Sequence, residues 1–192
     1  MIRLSSQTLR ASAAAIIAAL ALTGCGEEKT AASPEKTALI PVGVVQLVEH
    51  EALDATVKGF IDELAARGFK DGEKIRIDRQ NAQGDQTTLA NIGSRFVSAK
   101  SELIFASSTP ALQAMARATK SIPIVATAVT SFEAARVVKS DKAPGGNVTG
   151  VSDLGPIAAQ FDLLMKLVPN AKTIGTIYNS SEINSAYQVD IL

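Results

Sequence analysis

The sequence predicts an α/β protein in which a doubly wound parallel sheet lobe is followed by the start of a second α/β lobe. From residue 39 onward, short and nearly continuous apolar runs alternate with stretches whose apolar residues recur at helical spacing. Uninterrupted apolar runs are typical of strands that are buried on both faces of a parallel sheet. The resulting order β-α-β-α-β-α-β is that of a sheet built with right-handed crossover connections.

The first half of this pattern contains two strand–helix units. Residues 40–47 predict a buried strand, and residues 51–67 predict a helix that Gly68 should end. Residues 75–78 alternate apolar and charged side chains, which indicates a second strand nearer to an edge. Asp85 stands where the N-cap of the next helix is expected, with apolar residues lining one face of that helix.

The second half begins with a third strand at residues 103–106. The turn Ser107-Ser108-Thr109-Pro110 follows, with Thr109 as the expected N-cap and Pro110 as the first residue of the third helix. Residues 122–126 predict a fourth strand, residues 132–138 a weaker helix, and residues 147–151 a fifth strand or a crossing segment. A new unit then has a helix over residues 157–168, a strand over residues 172–178 and a helix from residue 184.

The lengths of these units suggest how the chain divides into domains. Residues 39–150 complete a first α/β lobe of about 110 residues, which is a common domain size. Residues 151–192 are too few to bury an independent core. We therefore expect the sequence to be a fragment that contains one whole lobe and an incomplete second lobe.

The N-terminus predicts export and membrane attachment. Arg3 and Arg10 form a positively charged region before an apolar run over residues 11–22, which is too short for a permanent membrane helix but suits a signal peptide over residues 1–24. Thr23 and Gly24 are small residues before Cys25, a lipobox pattern in which the thiol is acylated. Two acyl chains on one residue give stable anchoring. The alternative is an uncleaved membrane anchor with an incidental cysteine.

Cysteine content and charge exclude several classes of protein. Cys25 is the only cysteine, so the folded part has neither a disulfide framework nor a thiolate metal cluster. Residues 25–38 are polar, charged and small, and they predict a flexible tether. The chain has 19 basic and 19 acidic residues, and two of the basic ones lie in the signal peptide. Without a basic run elsewhere, nucleic acid is not an expected partner.

Motifs of enzymes, cofactors and metals are missing from the sequence. It contains neither a phosphate-binding Gly-Lys-Ser/Thr loop nor a Gly-x-Ser-x-Gly nucleophile elbow. The glycines of residues 145–150 make a very weak dinucleotide motif, because no strand leads directly into them. His50 is the only histidine, and its place at a helix start favours a capping or surface role over that of a lone base. The sequence therefore predicts no catalytic residue, no metal and no cofactor.

Polar residues stand at the ends of the predicted strands, where open α/β sheets bind their ligands. Ser107, Ser108 and Thr109 offer hydroxyl groups together with the free backbone N–H groups of a helix N-terminus, which suits a carboxylate. The alternative is that Thr109 merely caps its helix and that the serines fill turn positions.

A second polar cluster follows the strand predicted at residues 172–178. Its aromatic ring, amides, hydroxyls and carboxylate include a group that could meet an ammonium ion. The alternative is an ordinary polar loop in which Asn184 or Ser185 caps the next helix.

Five stretches, in this order and spacing, match a known family. They are QLVEHEALD at residues 46–54, NAQGD at 81–85, STPA at 108–111, GNVTGVSD at 146–153, and YN followed by EINS within residues 178–185. With them the chain, from about residue 39 to its end, resembles the ABC transporter substrate-binding lipoproteins that include the tryptophan/tyrosine-binding proteins. The resemblance implies a type I periplasmic-binding-protein fold, in which two lobes close on a ligand by a hinge, and a missing C-terminal part.

The resemblance also implies a function and a set of site residues. The expected protein is an extracytoplasmic, lipid-anchored receptor that passes an amino acid, with an aromatic one favoured, to an ABC permease in the membrane. The alternative is the ligand-binding module of a membrane sensory system, which the fold does not distinguish. The candidate ligand-binding residues are Gln46, Glu49, His50, Ser107, Ser108, Thr109, Thr130, Tyr178, Asn179, Glu182, Asn184 and Ser185.

The sequence departs from the family pattern after the fourth strand. Family members commonly have an Asp-Pro pair there, where this chain has Ser131 and Phe132. Phe132 could stack on an aromatic ligand, but we favour a place in the core beside the next helix.

Overall fold

The structure is a computed structural model that describes residues 38–192. The predicted signal peptide, Cys25 and all but the last residue of the predicted tether lie outside this range. The strands are β1 (Ile40–Gln46), β2 (Ile75–Asn81), β3 (Leu103–Ser107), β4 (Ile124–Val129) and β5 (Val148–Ser152). The helices are α1 (Glu51–Ala66), α2 (Gln86–Ser98), α3 (Thr109–Ala118), α4 (Ile157–Leu167) and α5 (Ile183–Asp190). Of these described helices, none has both the length and the hydropathy that a membrane span requires.

The strands form one parallel sheet in the order β2-β1-β3-β4-β5. The chain runs outward from β1 to β2 and then crosses back to β3, so the winding reverses between β1 and β3. This confirms the predicted α/β fold class. It also brings the carboxyl ends of the strands to one edge, where Gln46 of β1 is paired with Asn81 of β2 and with Ser107 of β3.

Two apolar clusters cover the two faces of the sheet. Successive residues of a strand point to opposite faces; Val45 therefore lies in the cluster that contains α2 and α3, whereas Val44 lies in the one that contains α1. On the α1 side, the rings of Phe60 and Phe105 stack with their centroids 4.2 Å apart. Helices on both faces explain why the central strands are continuous apolar runs in the sequence.

An ion pair fastens the edge strand β2 to α2, since Arg95 donates to Asp78 over 2.6 Å. Partial burial acts to raise the pKa of Asp78, but hydrogen bonds from Arg95 and Gln80 outweigh it and hold that pKa below its usual 3.8. The lowered pKa means that the carboxylate contributes stability above the unfolded-state pKa. This contribution is lost as the pH falls through the lower pKa of the folded state.

The predicted cap of α3 was wrong by one residue. Ser108, not Thr109, is the N-cap: its Oγ accepts a hydrogen bond of 3.3 Å from the backbone N–H of Ala111. The helix begins at Thr109, so Pro110 stands one position further in than expected. The reason is that Ser108 has φ 107° and ψ 155°, which are not helical, so the helical conformation starts only at Thr109.

Two other predicted elements are not regular structure. Residues 132–138 form turns instead of a helix. The N–H of Ala135 closes a single helical turn on the carbonyl of Ser131, and Arg136, with φ 59°, then leaves the helical conformation. Residues 172–178 are not a strand, because a strand requires a ladder with a neighbour and they form none within the described chain.

Candidate ligand-binding site

The carboxyl ends of β1 and β3 flank the reversal point of the sheet, where ligands bind in open α/β folds. Ser107 is fully buried there, and its Oγ lies 2.8 Å from Oγ1 of Thr56 on α1. Thr56 already donates its hydroxyl hydrogen to the carbonyl of Leu53, so Ser107 must be the donor in this pair. The Ser107 hydroxyl therefore fixes α1 to β3, and towards any ligand it is left only with acceptor capacity.

At the N-terminus of α3, the backbone of Ser108 is strained and the hydroxyl of Thr109 has no hydrogen-bond partner among the described residues. Ser108 adopts a positive φ, and its N–H donates to the carbonyl of Thr127 over 3.1 Å. Thr109 is 2% exposed, and its Oγ1 has no hydrogen-bond partner among the described residues. An unpaired buried hydroxyl costs about 1–3 kcal/mol, and backbone strain clusters at functional sites. Together with the N–H groups of the helix, these features suit an anionic group of a ligand.

The carboxyl end of β4 is irregular. Its pairing with β5 shifts register between Ala126 and Val129, and Ala128 has φ 53°. The irregularity is followed by Thr130, whose carbonyl accepts a 2.7 Å bond from Ser152 Oγ. The hydroxyl of Thr130 accepts a 3.4 Å bond from Nε2 of Gln188 on α5. Thr130 is thus the candidate site residue that contacts both β5 and α5.

The polar loop before α5 is organised mainly by its own hydrogen bonds. Asn179 donates from Nδ2 to Glu182 over 3.0 Å and accepts at Oδ1 from the N–H of Ser181 over 3.1 Å. Asn184 donates to the other oxygen of Glu182 over 3.4 Å. These contacts favour the ordinary-loop alternative for Asn179 and Glu182, but its capping part was wrong, because Glu182 and neither Asn184 nor Ser185 stands at the N-cap of α5. Oδ1 of Asn184, however, is buried without a partner in the described chain, so this amide retains capacity for a ligand.

Tyr178 and Ser185 border a different space. They line a cavity of about 580 Å³ whose wall is formed only by residues from position 157 onward, including Phe161 and Leu164 of α4 and Ile174. The structure therefore does not bring these two candidates together with the Ser107–Thr109 turn. Phe132 is buried and packs in the larger apolar cluster, as favoured from the sequence.

Gln46 is buried in a polar network that sequence reasoning did not identify. Its Nε2 donates to the carbonyl of Val48 over 3.0 Å and to Oδ1 of Asp54 over 2.8 Å, and its Oε1 accepts from Arg79 over 3.3 Å. Asp54 ends the first family-like stretch, which was the available signal. With all its groups engaged, Gln46 holds the β1–α1 loop instead of offering a free amide.

The other two candidates of this loop, Glu49 and His50, are exposed. His50 is the N-cap of α1, because its Nδ1 accepts a 3.2 Å bond from the N–H of Ala52. Glu49 borders a cavity of about 360 Å³ that Asp54 and Arg79 also line. Their ligand-binding roles stay predictions.

Removing the Asp54 carboxylate should loosen this loop. We expect Asp54→Ala to lower the free energy of unfolding by about 1–3 kcal/mol, because buried Gln46 loses an acceptor and Arg79 loses its ion-pair partner. Urea denaturation measures the change. Asp62→Ala on the same helix removes only an exposed ion pair with Lys58, so it should cost at most about 0.5 kcal/mol. Equal losses in the two variants would contradict the network.

Comparisons with known proteins show what the chain is similar to. The model of the family described as ABC transporter substrate binding protein matches residues 41–192. A tyrosine-binding protein of Clostridioides difficile is 47% identical over 189 residues, which cover 93% of this chain and 54% of that protein. The chain therefore spans about half the length of this curated relative.

Two solved structures are also similar. One, from Streptococcus pneumonia, is described as an ABC domain in complex with L-Trp; it is 44% identical, with a TM-score of 0.76 over 80% of this chain and 52% of that one. The other is a ligand-free, open structure of a substrate-binding protein with adhesive properties from Clostridium difficile. It is 53% identical, with a TM-score of 0.66 over 79% of this chain and 52% of that one.

Proposed function

Because the chain belongs to the ABC transporter substrate-binding protein family, we propose that it captures an amino acid, with an aromatic one favoured, outside the cytoplasm for an ABC permease. The family consists of binding proteins, which confirms the expectation of a protein that is not an enzyme. The observation that carries the proposal is the buried hydroxyl of Thr109 at the N-terminus of α3, which has no partner among residues 38–192 and lies next to the strained Ser108.

An amino acid would provide hydrogen-bond partners for the polar groups at this edge of the sheet. Its carboxylate would lie against the first N–H groups of α3 and accept a hydrogen bond from Thr109, where the positive end of the helix dipole favours a negative charge. Asn184, whose Oδ1 accepts no hydrogen bond within the described part of the chain, would contribute an acceptor for the ammonium group from the α5 side. The preference for an aromatic side chain rests on relatives whose names state tyrosine binding and an L-Trp complex.

We further propose that residues 39–150 form one complete lobe and that residues 151–192 open a second one. Neither α4 nor α5 contains a buried residue, although α4 is rich in apolar side chains. Ile177 is fully exposed, and Leu167 is 72% exposed. Apolar surface of this extent is usually covered by further protein. In a complete second lobe, neighbouring strands would pair with residues 173–178 and fill the cavity beside α4.

Residues 1–38 have a role in placing the receptor. We propose that residues 1–24 direct export, that Cys25 is lipidated and that residues 25–38 act as the tether. Two acyl chains on Cys25 would hold the protein at the membrane surface close to its permease. A Cys25→Ser variant should move from the membrane fraction to the soluble extracytoplasmic fraction. Mass spectrometry of the N-terminal peptide should detect the lipid on the protein that retains Cys25.

The ligand class is tested by calorimetry on the protein at its full natural length with each amino acid in turn. We expect binding of tryptophan or tyrosine, accompanied by a rise in melting temperature, since ligand at about 100 times Kd stabilises by about 2.7 kcal/mol. Tryptamine and tyramine, which lack the carboxylate, should bind far more weakly. A lack of response to every amino acid would overturn the ligand class, and equal binding of the amines would overturn the role of the α3 N-terminus.

A further inference from the structure

One hydrogen bond connects the helices of residues 157–192 to the preceding lobe. Within the described chain, the bond from Gln188 Nε2 to Thr130 Oγ1 is the only hydrogen bond between residues 157–192 and residues 38–152. No ion pair joins these two described segments. The chain also connects them covalently through residues 153–156, and residues of α5 border a cavity of about 480 Å³ together with residues 131–141 of the first lobe. The bond to Thr130 is therefore the directional polar contact that orients α5 relative to the end of β4.

The position of Thr130 is set by unusual backbone geometry. Ala128 adopts φ 53°, which is unfavourable for a residue with a Cβ atom, and the register of β4 shifts around it. The carbonyl of Thr130 is held by Ser152 over 2.7 Å, and the residue is 6% exposed. Gln188 is the partner of its hydroxyl. Strain at the end of β4 thus places a buried hydroxyl next to α5.

Gln188 connects this hydroxyl to the N-terminal half of α5. Its Nε2 also lies 3.4 Å from the carbonyl of Asn184, one helical turn earlier. On the other side, the carbonyl of Thr127 in β4 accepts the N–H of Ser108 at the start of α3. A continuous path therefore runs from the N-terminus of α3 through β4 and Gln188 to α5. The two buried polar groups without partners in the described chain, on Thr109 and Asn184, lie near its two ends.

We propose that Gln188 is a positioning residue: by bonding to Thr130, it sets the N-terminal half of α5 opposite the N-terminus of α3, so that both contact one bound solute. This inference rests on the proposed function. Gln188 acts through α5 and not by touching the solute. The strain at Ala128 is the local requirement for presenting Thr130 to it.

The size of the effect follows from the length of the bond. A neutral hydrogen bond of 3.4 Å is at the long end of the accepted range, and its loss should weaken solute binding by about twofold to tenfold. Thr130→Val and Gln188→Met remove the bond with little change in side-chain volume. Because both substitutions break the same contact, the double variant should have about the same affinity for the solute as the single variant that binds it less tightly.

Calorimetry with tryptophan and tyrosine on the full-length protein tests this coupling. Thr130→Ser keeps the hydroxyl and should retain the original affinity. The matched controls are Thr149→Val and Gln86→Met, which change exposed residues away from the contact and should leave Kd unchanged. Additive losses in the double variant, or unchanged affinity in both single variants, would overturn the inference. If the unmodified protein binds no amino acid, the proposed function fails instead.

A second measurement needs no ligand and decides the inference in that case as well. Cys25→Ser removes the only cysteine, so spin labels can be placed at two exposed positions, Glu102→Cys in the first lobe and Lys166→Cys on α4. We expect Gln188→Met and Thr130→Val to broaden the distribution of distances between the labels, with Thr130→Ser unchanged. An identical distribution in all four proteins would show that the bond does not position α5.

Discussion

Replacing Thr109 by valine is expected to weaken amino-acid binding by about tenfold to a hundredfold while making the ligand-free protein more stable. The buried hydroxyl has no partner in the described chain, so its removal relieves a desolvation penalty of about 1 kcal/mol. In the complex, the same hydroxyl would donate to the ligand carboxylate, and a hydrogen bond to a charged group contributes about 1.5–3 kcal/mol. Calorimetric titration measures the affinity, and thermal unfolding without ligand measures the stability.

The opposite signs of these two effects separate a ligand-binding role from a structural one. Thr109→Ser should keep both properties close to those of the original protein. Thr56→Val is the matched control, because the Thr56 hydroxyl is already bonded to Leu53 and Ser107. That variant should lose stability instead of gaining it. If Thr109→Val binds amino acids as well as the original protein, the α3 N-terminus is not the carboxylate site.

Replacing Gly150 by alanine is expected to destabilise the protein by about 1–3 kcal/mol, at the upper end of that range. A Cβ atom at this position of β5 would lie 2.0 Å from the carbonyl oxygen of Ala126 and 2.7 Å from the ring of Phe132. The nearest atom belongs to the backbone of the neighbouring strand, so a change of rotamer cannot relieve the overlap. β5 must separate from β4, and urea denaturation should show a lower midpoint.

Gly59→Ala is the control for this substitution. Gly59 lies in the middle of α1, and within 4 Å a Cβ atom added there would meet no atom of the described chain beyond its chain neighbours and the adjacent backbone of its own helix. Since alanine is the better helix former by about 1 kcal/mol, this variant should gain stability. Destabilisation by both alanines would indicate a general intolerance of glycine replacement, and a neutral Gly150→Ala would contradict the close approach of β4 and β5.

The local sequence pattern was sufficient to predict an element wherever a single physical effect determined it. Strands with helices on both faces must be apolar along their length, so β1, β3 and β4 were recognisable as uninterrupted runs. The caps of α1 and α2 were also predictable, because His50 and Asp85 make contacts within three residues of themselves. The Ser107–Thr109 turn was placed at the carboxyl edge of the sheet by topology alone, since the carboxyl ends of parallel strands meet there in any doubly wound sheet.

Other features depended on partners distant in the chain. The helix expected at residues 132–138 gives way to turns, with Phe132 buried against the sheet. Residues 172–178 have strand-like composition, but composition does not supply the neighbour that a ladder needs. Asp54 and Arg79 are separated by 25 residues. Neither is recognisable as part of the polar network until the structure shows that both form hydrogen bonds with Gln46.

By itself, the sequence determined the α/β class, the order of the elements from β1 to β4, the family and the turn on which the proposed site is centred, because periodicity, capping and motifs are local properties. The tertiary structure decided which hydroxyl groups are already paired and which are not. It assigned the cap to Ser108, left Thr109 without a partner in the described chain and brought Gln188 to Thr130 across 58 residues of chain. Such pairings depend on distances between elements, which folding fixes and a linear pattern does not contain.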